Sequence, residues 1–189
     1  STEIGKVVLE RLKSMDGSAD PQDELVLKET LGFCDPATGR KWFKTQLNSS
    51  LKLQEREQVT CNGASAGLLA MEDICLELNR PETSADNRQC LLEAVRDAVL
   101  RGEKMPPCIQ EALCDHAGHE DTEVISVAVL VIKEMFANKQ RFELEGECEQ
   151  RVFAAFNDPD FFGRAEAAYT LGRTGKPEIQ EVLRQTLLG

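Results

Sequence analysis

Residues 121–138, DTEVISVAVLVIKEMFAN, constrain the fold more than any other stretch. Read as a helix, Val124, Val127, Ala128, Val131, Ile132 and Met135 form one stripe, while Ile125, Val129, Leu130 and Phe136 cover the other side. A helix that is apolar nearly all round has to be covered by neighbours on several sides. The β-branched run VISVAVLVI also permits a strand, but the segment's length and its acidic start favour a helix. It is too short, and too charged at its ends, to span a membrane.

The rest of the chain supplies such neighbours. Helical stripes occur at 3–15 (Ile4, Val7, Val8, Leu12, Met15), at about 21–34 (Leu27, Leu31, Cys34), around Trp42–Leu47, at 65–79 (Leu68, Met71, Cys75, Leu78) and at 87–101. They are punctuated by GSADP, with Asp20 as N-cap and Pro21 at the first helical position, by the turn CDPATG, by Pro81, by Gly102 and by Pro106-Pro107. Residues 48–64 are polar and read as an exposed helix or a connection with a turn at Asn62-Gly63. A helix with Ile109, Ala112, Leu113 and His116 on one face precedes the apolar segment. Another, with Cys148, Val152, Ala155 and Phe156, follows it. Asp158-Pro159-Asp160 then caps a helix whose small contact residues are Ala165, Ala168, Tyr169 and Gly172. After Gly175-Lys176-Pro177 the last helix carries Ile179, Val182, Leu183 and Leu187.

Charged residues reach 29% and aromatics only 5%, which fits helices with solvated faces better than a sandwich of sheets. The net charge of −11 repels nucleic-acid phosphate, so no nucleic-acid partner is expected. Its sign fits a basic protein partner or simply solubility. The seven cysteines, 34, 61, 75, 90, 108, 114 and 148, stand singly with no CxxC pair. That spacing does not look like a disulfide framework and points to a reducing, cytoplasmic location. No basic-then-apolar leader and no membrane-spanning run is legible, and the start at Ser1 without Met fits a removed initiator or a piece of a longer protein.

Setting 108–132 against 148–172 gives a period of about 40, the range of two-helix α-solenoid units. The segment NDPDFFGRAEAAYTLGRTGKPEIQEVLRQTL resembles the HEAT-like repeat of the phycobilin-lyase type, through Asp158, Asp160, Arg164, Ala165, Ala168, Leu171, Gly172 and Gly175. The resemblance covers the C-terminal half. It implies an all-α fold of antiparallel helix pairs stacked as a short HEAT-like or armadillo-like α-solenoid. The whole of 1–189 then forms one helical repeat domain, with irregular pairs over 1–104 and HEAT-like repeats over 105–189. Such repeats serve lyases, hydroxylases and scaffolds alike, so the resemblance speaks to fold and hardly to function. A di-iron hydroxylase of this kind uses several His-Glu pairs, and this chain has Ala165 where that ligand histidine would stand.

The only cluster of metal-ligand types is Cys114, His116 and His119, with Cys108 as a possible fourth. The competing reading is stronger: His116 lies on an apolar helix face, and Gly118–Asp121 is an acidic capping turn. No metal and no cofactor are expected. Sparse histidine and no glycine-flanked nucleophile also argue against catalysis. Two aromatic pairs remain as partner anchors: Trp42-Phe43, flanked by Arg40, Lys41 and Lys44, and Phe161-Phe162. Helix packing is the alternative for each. The expected function is a non-catalytic protein-binding scaffold that contacts its partner through Arg40, Lys41, Trp42, Phe161 and Phe162. A HEAT-like lyase and a structural or regulatory piece of a larger assembly are the alternatives. The weakly polar end LRQTLLG points to self-association or a larger assembly there.

Overall fold

The computed structural model describes residues 2–15, 26–27, 30–31, 34–158 and 161–188. Ten helices and no strands occur among the described residues: α1 (Thr2–Ser14), α2 (Pro36–Leu47), α3 (Leu53–Ser65), α4 (Met71–Leu78), α5 (Ala85–Leu100), α6 (Pro107–His116), α7 (Thr122–Ala137), α8 (Gly146–Asn157), α9 (Arg164–Gly172) and α10 (Pro177–Leu188). The expected GSADP break with its Asp20 cap, much of the 21–34 helix, and Pro159-Asp160 lie outside the described residues. The chain divides into two compact units, Ser1–Ala94 and Val95–Gly189, and the division falls within α5.

In the first unit, Val8 and Leu12 of α1 bury against Leu31, with Leu9, Met15, Leu27 and Trp42 packed around them. The turn expected over CDPATG is shorter than its sequence suggests. Pro36 opens α2, and Asp35 caps it by accepting the Thr38 N–H at 3.1 Å and the Thr38 hydroxyl at 2.8 Å. Asn62-Gly63 is not a turn but lies inside α3. Tertiary packing decides this. A Cβ at Gly63 would stand 2.5 Å from the Phe43 ring, so only glycine lets α3 approach α2 that closely. The polar face of α3 is held to α4 by Arg56, which donates to both oxygens of Glu77, at 3.0 and 2.5 Å, and to the Leu47 carbonyl at 2.9 Å. Arg88 reaches from α5 to the carbonyls of Leu78, Arg80 and Thr83, satisfying backbone acceptors that the end of α4 leaves open.

In the second unit, Gly102 ends α5 as expected: its φ is +80°, and the Gly102 and Glu103 N–H groups return to Val99 and Ala98. The apolar segment is a helix, not a strand. Asp121 caps α7 by accepting the Glu123 and Val124 N–H groups. Seven of its side chains are buried, including Val129 on the side opposite the main stripe. It is covered by α6 and α9; α8 packs on α6 and α9, and α9 on α10. Phe142 and Leu144, in the acidic stretch before α8, also turn inward. In α9 the buried residues are Ala167, Thr170 and Leu171, whereas Ala165 and Tyr169 face outward. The contact face is therefore rotated from the expected Ala165–Ala168–Tyr169–Gly172 set. Gly163, rather than the Asp-Pro-Asp turn, stands at the N-cap position. No described helix is long and apolar enough to cross a membrane.

Candidate functional site

A concave feature rich in charged side chains belongs to the second unit. It is a groove of about 530 Å³ lined by α6, the segment before α8, and the first turns of α8. Helix α6 puts Ile109, Ala112, Leu113 and His116 into the core, which leaves Gln110, Glu111, Cys114 and Asp115 to line the groove at helical spacing. Glu147, Cys148 and Arg151 face them from α8, and Glu143 lies at the rim. Four carboxylates thus meet one guanidinium. Arg151 is already engaged, donating to Asp115 at 2.7 Å, to Glu147 at 2.7 Å and to the Cys114 carbonyl at 3.0 Å. The hydrogen bond to Asp115 above all, and then that to Glu147, pushes the guanidinium pKa up, so its charge is fixed at any ordinary pH. Glu143 pairs with Arg141, and Glu111 has no ion partner among the described residues, so the groove keeps a net negative potential.

A disulfide between Cys114 and Cys148 lies in the groove wall and ties α6 to α8. A second, Cys61–Cys90, ties α3 to α5. These bridges overturn the expectation that the scattered cysteines form no disulfide framework. Four of the seven form these two bridges, and Cys34, Cys75 and Cys108 belong to neither. Sequence spacing hides the pairing because the bridges join helices that meet only after folding, 29 and 34 residues apart. They also remove the support that unpaired thiols gave to a reducing compartment.

The trio Cys114, His116 and His119 does not form a ligand set. Cys114 is in the bridge, and His116 is buried with its Nδ1 donating to the Ala112 carbonyl at 2.7 Å. His119 stacks on it at 6.0 Å and accepts the Asp121 N–H through Nδ1. Among the described residues, no group of three or more His, Cys, Asp or Glu side chains is placed to hold a metal ion.

The aromatic pairs divide between core and surface. Trp42 is half-buried against the Val8–Leu12–Leu31 cluster and meets Phe43 edge-on at 4.9 Å, while Arg40 and Lys41 are exposed beside it. Phe161 is only 2% exposed and its ring lies against Gly163, so it is a core residue and not a surface anchor. Phe162 is 70% exposed. The two pairs belong to different compact units. A smaller cleft of about 310 Å³ lies between α8 and α10, lined by Phe153, Ile179 and Val182 with Glu149, Gln150 and Glu178 at its edge. Sequence reasoning missed Glu111, Glu143, Glu147 and Arg151, whose only signal was the helical spacing of Glu111 and Asp115 beside Cys114.

The chain matches no protein-family model, no curated protein and no solved structure.

Proposed function

We propose that the chain is a non-catalytic binding scaffold of HEAT-like helix pairs, and that the acidic groove of its second unit receives a basic segment of another protein. The groove carries this reading: about 530 Å³ of concave surface is lined by four carboxylates, of which Asp115 and Glu147 pair with Arg151 and Glu143 with Arg141, leaving Glu111 without an ion pair among the described residues. Charge complementarity of this kind sets partner choice and association rate more than final affinity. The packing pattern supports the repeat arrangement, because α6 meets α7 and α8 meets α9, while α6 also meets α8 and α7 meets α9. Stacked two-helix units make such contacts. Arg40, Lys41, Trp42 and Phe162 are the proposed additional contact residues. An aqueous, cytoplasmic location remains part of the proposal on one condition, that the two bridges open and close there.

Titration with a Lys/Arg-rich peptide tests the reading. Binding is expected to weaken with added salt, and to fall by about tenfold or more in the double variant Glu111→Lys/Glu143→Lys, whose positions are exposed. Equal affinity for the double variant and the native chain would sink the groove as the binding face. The cleft between α8 and α10 favours a second role, association through the C-terminal end. Sedimentation should then show a concentration-dependent larger species that Phe153→Glu abolishes; a strict monomer removes this role.

A further inference from the structure

We propose that the Cys114–Cys148 bridge is a thiol-exchange site: a dithiol reductant enters the groove, attacks the Cys114 sulfur and expels Cys148. Exchange at a disulfide depends on access to the attacked sulfur and on how readily the other sulfur leaves as a thiolate. This bridge answers both needs asymmetrically. Cys114 is half-buried along the groove, whereas Cys148 is only 7% exposed, so the nucleophile reaches Cys114 first.

The leaving sulfur is favoured by its helix. Cys148 is the third residue of α8, in the first turn, where unpaired N–H groups and the positive end of the helix stabilise a thiolate. Cys114 sits in the last turn of α6, near a negative end, and leaves poorly. The carboxylates on either side of Cys148 would oppose a thiolate, but each is paired. Glu147 binds Arg151 at 2.7 Å, and Glu149 binds Lys176 at 2.5 Å. The other bridge provides an internal reference, because Cys61 and Cys90 are half-buried like Cys114 and so are open to the same reductant. Cys61 is the ninth residue of α3 and Cys90 the sixth of α5, so neither lies in a first turn, and the leaving sulfur rather than access separates the two bridges.

The chemistry balances. One thiolate of the reductant forms a mixed disulfide with Cys114, and the electron pair of the broken S–S bond leaves on Cys148, which takes a proton from water. The reductant's second thiol, deprotonated, then attacks its own sulfur in the mixed disulfide and releases the Cys114 thiolate, which is protonated in turn. One S–S bond breaks and one forms, and two electrons pass from the dithiol to the protein. Afterwards α6 and α8 remain joined beside the groove by Arg151, through Asp115 and the Cys114 carbonyl, without the covalent tie. This chemistry does not depend on peptide binding, and it is read by a different measurement.

Limited dithiothreitol on the native full chain, quenched with iodoacetamide and mapped by mass spectrometry, tests the site. Cys114 and Cys148 are expected to be alkylated at least about tenfold faster than Cys61 and Cys90, with helical circular dichroism retained. With the monothiol cysteamine in place of dithiothreitol, the adduct is expected on Cys114. Cationic cysteamine should outpace anionic glutathione by a larger ratio here than at the other bridge, because the groove is negative. Equal opening of both bridges, opening no faster than global unfolding, or an adduct chiefly on Cys148 would overturn the proposal. So would a chain that keeps Cys114 and Cys148 as thiols under mild oxidation.

Discussion

Phe161 and Phe162 are adjacent in the chain and opposite in role. Nothing in the dipeptide distinguishes them; the approach of Gly163 to one ring does. Phe161→Ala is expected to lose about 3–5 kcal/mol, the range for emptying a buried aromatic site. Phe162→Ala should stay within about 0.5 kcal/mol of the native chain, as exposed substitutions do. Urea melts of the two variants check the pair, and a Phe162→Ala protein as unstable as Phe161→Ala would contradict the assignment. Arg151 shows the same limit of sequence reading. As one of 22 basic residues it carries no motif, yet folding sets it against two acids and a carbonyl. Buried and paired positions of this sort become visible only when distant segments are brought together.

Among the elements, helix existence followed from period and punctuation, while helix ends and faces did not. The Asp35 cap of α2 shows how one end is fixed. The Thr38 hydroxyl first, and then the Thr38 N–H, hold the Asp35 carboxyl below its ordinary pKa. A carboxylate lowered in the folded state adds stability above its unfolded pKa of about 3.9, and that stability is lost as pH falls through the lower folded value. Asp35→Asn keeps a capping oxygen but does not titrate. The melting-temperature advantage of the native chain over Asp35→Asn should therefore be present at pH 6 and shrink below about pH 4. A difference that does not change with pH would show that the Asp35 charge is unimportant. Helix α9 shows how a face is lost: small residues fill Ala165, Ala167 and Ala168 alike, so composition could not say which of them turns inward. Its neighbours α7, α8 and α10 select Ala167, Thr170 and Leu171.

For the whole molecule, the two bridges are the main source of stability that the sequence concealed. Closing loops of 29 and 34 residues restricts the unfolded chain, worth about 3–4 kcal/mol for each bridge. Full reduction is expected to lower the urea midpoint accordingly, and alkylation in freshly lysed, denatured cells should modify three cysteines with both bridges closed and seven with both open. Three modified cysteines in a cytoplasmic preparation kept under reductant would contradict that location, because the bridges would not have opened there. What the sequence by itself determined was local: helices, their approximate order, the need to cover residues 121–138, and an acidic surface. These follow from side-chain period and charge, which act over a few residues along one chain. Only the tertiary structure decided which cysteines pair, which phenylalanine is buried, which face of α9 packs, and how Glu111, Asp115, Glu143 and Glu147 come to line one groove with Arg151. The bridges and the Asp115–Arg151 pair join segments 29 to 36 residues apart, and their energy exists only once the helices have packed.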